Sequence, residues 1–257
     1  MRTWNVFHGN ASPPGRHAYL EEMVRLASED RPDVLCLQEL PVWSLRRLEE
    51  WSGMHAFGAV AARPKLRSAE LGRTITARHH GLFRSAVTGQ ANAILLGSEL
   101  RAVASESIVL NPAAVRRRVA ADLHLDRPAR LGWARERRVC QAVHTESLTV
   151  ANLHISAVRD ARIRDAELLR AATFADSLAE PGDVVVLAGD FNVRPWESKI
   201  LDELASPEWG FSRAIAGIDQ ILVRGASASA PEPWPEERRR LGGRLLSDHA
   251  PLEVTIE

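Results

Sequence analysis

The sequence predicts a mixed α/β fold, and three observations predict it. Seven short apolar runs have the length and the Val, Ile and Leu content of buried strands, amphipathic stretches lie between them, and the two patterns alternate along the chain. In chain order the strand-like runs are TWNVF from Thr3, DVLCLQE from Asp33, ANAILLG from Ala91, SLTVANLHIS from Ser147, DVVVLAG from Asp183, IDQILV from Ile218 and PLEVTIE from Pro251. Between them, AYLEEMVRLASED places Leu20, Met23, Val24 and Ala27 on one helical face, and RDAELLRAATFADSLAE does the same with Leu168, Ala171, Ala175 and Leu178. Residues 60–81 and 225–244 lack periodicity and read as loops, the second with three prolines.

Bulk properties bound what the chain does. With 257 residues, 45% hydrophobic and 26% charged, it has the composition of a globular protein, and no internal repeat or Gly/Ser/Pro linker divides it, so a single domain over residues 1–257 is expected. No apolar run approaches the roughly 20 residues that span a bilayer. The start, MRTWNVFHGN, lacks the apolar stretch of a signal peptide, so the expectation is a cytoplasmic monomer without stable membrane association. Cys36 and Cys140 sit in strand-like sequence and read as buried thiols rather than a disulfide.

Zero net charge argues against coating nucleic acid through bulk electrostatics. Locally, eight arginines lie between Arg116 and Arg138 against Asp122, Asp126 and Glu136, and residues 62–81 are also basic. Guanidinium forks match phosphate oxygens. Only two of the 33 basic residues are lysine, however, so an arginine-rich composition explains the patches equally well.

The informative residues are polar ones at strand ends. Glu39 follows VLCLQ, His154 follows VANL, Asp190 and Asn192 follow VVVLAG, and Asp248 with His249 precede APLEVTIE; Asn5 and Asp219 belong to further strand-like runs. Each alone has an ordinary reading as a cap, a turn residue or a solvated strand end. Together they ask for one polar site, because buried carboxylates are costly unless paired, hydrogen-bonded or metal-bound. Carboxylate and amide oxygens without a cysteine cluster suit Mg²⁺ or Mn²⁺, and two histidines beside such an ion suit proton transfer. The chemistry indicated is metal-assisted attack of water on a phosphoester.

The order WNV, LQE, NLHIS, GDFN, IDQIL, SDH, running from residue 4 to residue 249, resembles the endonuclease/exonuclease/phosphatase (DNase I-like) superfamily. The resemblance implies a four-layer α/β sandwich, two packed mixed β-sheets flanked by helices. It implies that Glu39 is the principal metal ligand, with Asn5 and Asp248 as further ligands or supports. His249 then activates water or stabilises the phosphate, Asp219 orients it, Asp190 and Asn192 position the nucleophile and a phosphate oxygen, and Asp190 is an alternative base. His154 corresponds to the histidine of the DNase I and sphingomyelinase branches. The single tyrosine, Tyr19, disfavours a tyrosine-dependent AP endonuclease. WARERRV makes Arg135 a candidate phosphate contact, with Arg137 and Arg138 as alternative matches. ANAILLG departs from the family's GNAILS but leaves Asn92 as a substrate-side contact. The Asp-Arg signature of the inositol phosphatases has no counterpart. The resulting expectation is a nuclease acting on DNA or RNA; a phospholipid or small-molecule phosphodiesterase or phosphatase, and a binding protein without catalysis, are the alternatives. Trp234 is the one hint of a membrane-contacting element, and His79 and His80 read as a solvated loop.

Overall fold

The computed structural model describes residues 1–13, 17–64, 74, 76 and 87–257. His79, His80 and most of the expected loop at 60–81 lie outside the described residues. In chain order the first elements are β1 (Arg2–Asn5), β2 (Ala11–Ser12), α1 (Leu20–Ser28), β3 (Val34–Leu40), α2 (Leu48–Ser52), β4 (His55–Ala62) and β5 (Gln90–Leu96). There follow β6 (Ala104–Val109), α3 (Ala113–Asp122), α4 (Arg127–Arg135), β7 (Val139–His144), β8 (Leu148–His154), α5 (Ala161–Leu178), β9 (Val184–Asp190), α6 (Lys199–Leu204) and β10 (Asp219–Arg224). Short strands close the chain: β11 (Glu232–Pro233), β12 (Arg240–Leu241), β13 (Arg244–Leu246) and β14 (Leu252–Glu253). No helix among the described residues is long and apolar enough to cross a membrane.

The chain divides into two compact units, Met1–Arg101 with Pro231–Thr255, and Ala102–Ala230 with Ile256–Glu257. The first unit holds a mixed sheet in the order β11-β14-β1-β3-β5-β4 and a small sheet β12-β13-β2. β1 and β3 pair in parallel, and the other neighbours of the large sheet run antiparallel. Leu20, Met23, Val24 and Ala27 of α1 are buried with Trp4, Leu35, Leu37, Ala93 and Leu95 of the sheet, which is why the three-and-four spacing was legible. The Arg2 guanidinium ties β1 to the chain's other end, bridging Asp30 and Glu253. Cys36 and Cys140 are buried thiols with no disulfide between them, and burial pushes the Cys36 thiol up to about 12.

The second unit is built on the sheet β10-β9-β8-β7-β6, in which only β8 and β9 are parallel. Leu168, Ala171, Ala172 and Ala175 of α5 pack with Leu153, Val185, Leu187 and Phe191.

The structure corrects several element boundaries. TWNVF is a strand only to Asn5, because Phe7 and His8 take positive φ (44° and 53°) and curl into a 3-10 turn. PLEVTIE is a strand only at Leu252–Glu253, with Ile256 in an isolated bridge to Ala228. Residues 225–244 contain β11, β12 and a 3-10 turn, held around a buried Trp234 whose indole donates to Glu253 at 2.8 Å and lies under the Arg238 guanidinium at 3.5 Å. Trp234 is therefore a packing residue and not an exposed membrane-contacting one.

Candidate active site

In the second unit the parallel pair β8–β9 brings two strand ends level, with Leu153 opposite Gly189 and His154 opposite Asp190. Gly189 makes that approach possible: its φ is +140°, and a Cβ there would sit 2.0 Å from the Leu153 carbonyl oxygen. The consequence is a buried pair, with His154 Nε2 3.6 Å from Asp190 Oδ2. Past the strand the chain turns sharply. Asn192 adopts φ +48°, its N–H donates to Asp190 Oδ1 at 3.0 Å, and its side-chain amide donates to the Ile155 carbonyl at 2.9 Å. Asp219, first residue of β10, lies opposite Asp190 in the antiparallel ladder, and their carboxylate oxygens come within 4.8 Å. His154, Asp190, Asn192 and Asp219 are thus gathered at one sheet end.

The tautomer of His154 follows from its other neighbour. Arg138 is buried, and its Nη1 lies 3.1 Å from His154 Nδ1. A guanidinium only donates, so Nδ1 accepts and the ring proton resides on Nε2, the nitrogen facing Asp190. Arg138 is held in turn by Glu136 at 2.7 Å. Arg135 ends α4, is exposed, and makes no side-chain hydrogen bond among the described residues, so of the three arginines in WARERRV it is Arg138 that touches His154. The loop after His154 is fixed from below by Glu167 of α5, which accepts from Ser156 N and Oγ, each at 2.8 Å, and from Trp133 Nε1 at 2.5 Å. Burial raises the Glu167 carboxyl above its ordinary range despite these donors. Sequence periodicity did not single out Arg138 or Glu167; a charged residue flanking a buried strand, and one on the apolar side of a helix, were the available signals.

The first unit carries the remaining predicted residues. Between the pairs Leu37–Ala93 and Leu40–Ala91 the β3–β5 ladder shifts register, leaving Gln38 and Glu39 against the single residue Asn92. This is a bulge, and Glu39 has φ +56° in it, a conformation that re-aims its side chain out of the strand's alternation. Glu39 is half-buried and lies 3.9 Å from His8 Nε2, a neighbour absent from the sequence reading. Asn5 ends β1 beside Gln38, buried, its Oδ1 accepting from Phe7 N at 3.0 Å. Residues 247–249 are docked on that strand end: Ser247 Oγ donates to Asn5 O at 2.7 Å, and Trp4 Nε1 donates to His249 O at 2.9 Å. The Arg239 guanidinium clamps the same loop through the Leu246, Ser247 and His249 carbonyls at 3.0–3.1 Å, and burial lowers its pKa. Asp248 is exposed and His249 half-buried. Asn5, Glu39, Asn92 and the 247–249 loop thus share one end of the first unit's sheet.

Each unit thus gathers carboxylates, amides and histidines at one end of its sheet. The chain is a member of the endonuclease/exonuclease/phosphatase family, whose model matches residues 3–249, and whose members hydrolyse phosphate esters. Solved structures support the DNase I-like α/β fold class. A conserved protein of unknown function from Enterococcus faecalis aligns with a TM-score of 0.65 at 17% identity, covering 100% of both chains. TDP2 from Caenorhabditis elegans aligns at 0.60 and 16% identity, covering 100% of this chain and 74% of its own. A mannosyl-6-phosphatase from Bacteroides thetaiotaomicron aligns at 0.59 and 13% identity, covering 100% of this chain and 98% of its own. No curated protein matches the chain in sequence.

Proposed function

We propose that residues 1–257 act as one catalytic domain, a divalent-metal-dependent phosphodiesterase whose substrate is nucleic acid, DNA or RNA. The observation that carries the reading is the cluster at the ends of β8, β9 and β10: a buried histidine of defined tautomer beside a buried aspartate, an adjoining asparagine and a second aspartate across the ladder. The donor set fits Mg²⁺ or Mn²⁺. Glu39 is aimed by a bulge, Asn5 brings an amide oxygen to the same strand end, Asp248 is solvent-accessible, and hard oxygen donors suit these ions. When bound at Glu39, Asn5 and Asp248, the ion would polarise a phosphoryl oxygen and acidify water.

The remaining steps belong to the chain's own residues. Asp190 or His249 takes the proton of the attacking water, with Asp219 supporting the base. Asn192, held in its turn, positions the nucleophile and a phosphate oxygen. His154, with its proton on Nε2, donates a hydrogen bond to charge developing on the phosphate or to the departing oxygen. Asn92 and an arginine of the 135–138 segment serve the substrate side. An exposed Trp196, 72% accessible and four residues past Asn192, offers a face on which a base can stack.

One comparison favours a second reading, hydrolysis of a small phosphate ester, because a structurally similar protein is a mannosyl-6-phosphatase. A Mn²⁺-dependent screen of bis-p-nitrophenyl phosphate, supercoiled plasmid, single-stranded DNA, RNA, sphingomyelin and mannose 6-phosphate separates the classes. Glu39→Gln and His249→Ala should each lose most hydrolysis without lowering the unfolding midpoint; near-parent turnover by purified Glu39→Gln would overturn the assignment.

A further inference from the structure

A cleft of about 840 Å³ opens in the second unit beside the loop that leaves His154. One wall is α4, presenting Ala129, Gly132 and Arg135; the other is the 157–160 segment, presenting Val158 and Arg159; Leu125 lies between them. Its floor is continuous with a small apolar cluster of Leu125, Trp133 and Ile163, against which Ala129 and Val158 pack. Two of the three acids at its rim are paired with arginines. Asp126 accepts from Ala129 N as the cap of α4, Asp160 is gripped by Arg162, and Glu136 is held by Arg138 and Ala157 N. Arg135 and Arg159 make no side-chain hydrogen bond or ion pair among the described residues, so each wall carries an unpaired arginine, against one rim carboxylate, Asp126, that no cation pairs.

Two further features shape this cleft and tie it to the catalytic cluster. Gly132 sits inside α4, where glycine is among the weakest helix formers, yet an added Cβ there would meet nothing within 4 Å. Packing does not require that glycine, and it leaves the α4 wall of the cleft bare. Glu136, on the cleft, grips Arg138, which in turn contacts His154. Arg159 lies five residues beyond His154, a span of at most about 17 Å of chain.

We propose that the cleft is a subsite for a nucleotide flanking the scissile phosphate of a polynucleotide, its base against Leu125, Ala129 and Val158 and its phosphate between Arg135 and Arg159. The proposal rests on the nuclease reading above and narrows it to substrates longer than a single phosphate ester.

The test is binding without turnover: anisotropy of a short labelled single-stranded oligodeoxynucleotide in EDTA, titrated across salt concentration. In the Arg135→Ala/Arg159→Ala double variant, affinity at low salt should fall at least about tenfold, and the salt slope should shrink by about 0.7 per arginine removed. Gly132→Leu, which fills the cleft and improves the helix, should weaken binding comparably while its Tm stays level or rises. Parent-level binding in both variants, no binding by the parent, or competition by mannose 6-phosphate or phosphatidylcholine vesicles that depends on these same residues would overturn the subsite. If the binding pattern holds but the parent hydrolyses no polynucleotide with Mn²⁺, the catalytic reading fails and the cleft stands only as an oligonucleotide-binding site. If hydrolysis is found and both variants bind as the parent does, the subsite fails and the catalytic reading stands.

Discussion

Replacing Gly189 by alanine should be among the most damaging single-methyl additions the chain can receive. The new Cβ would lie 2.0 Å from the Leu153 carbonyl oxygen, whereas ordinary contact begins near 3.4 Å, so β8 and β9 must part locally by about 1.4 Å. That obstacle is backbone and cannot rotate aside. Parting the strands weakens about two ladder hydrogen bonds, worth roughly 1 kcal/mol each. Holding alanine at φ +140° adds about 1–3 kcal/mol of backbone strain. The expected loss is therefore about 3–5 kcal/mol, or about 6–20 °C in Tm for a chain of this size. Urea unfolding followed by far-UV circular dichroism measures it directly. A loss below about 1 kcal/mol would show that the strands relax around the methyl group, and would refute the claim that Gly189 sets the approach of His154 to Asp190.

Three further outcomes are expected. Arg138→Met should release the His154 ring from a single tautomer, seen as loss of the unprotonated Nδ1 signal in ¹⁵N spectra, with a fall in turnover of about 10–100-fold by analogy with other supporting groups; an unchanged ring spectrum refutes the assignment. Arg2 holds the Asp30 carboxyl down to about 2 from 3.8, so this group's contribution to stability is present above about pH 4 and fades as pH falls toward 2. Asp30 is half-exposed, so solvent screening limits that contribution to about 1 kcal/mol, and Asp30→Asn should trail the parent at pH 7 by more than it does at pH 2. Cys36 and Cys140 should resist alkylation in the native protein and react only on unfolding; rapid labelling without denaturant would contradict their burial.

What the sequence made legible was whatever repeats with a period or ends a core strand. Strands β3, β5, β8, β9 and β10 were visible because their apolar runs are buried nearly throughout. Helices α3 and α4 were not, because each buries a single residue, Ala120 and Trp133 respectively, beneath an arginine-rich exterior. β6 was missed because none of its residues is fully buried. His154, Asp190 and Asp219 stood out in the sequence because each terminates or opens a strand, and Asn192 because it lies two residues past one. Glu167 beneath that group did not, nor did Arg239 and His8 beside the 247–249 loop and Glu39 of the first unit, and Arg138 was named only as an alternative phosphate contact. Such residues act through long-range contacts that no local spacing records. The bulge at Glu39 was equally hidden, as an extra residue in a strand shows only when its partner is known.

The backbone at these places carries a cost with an evolutionary side. Glu39, Asn192 and Ser247 all hold left-handed φ values of 48–57°, where glycine would be more comfortable. Selection for heat resistance alone would favour glycine at these positions. A library screened only for folding should therefore drift toward glycine there, and under the proposed mechanism Glu39 and Asn192 are where activity would be lost first.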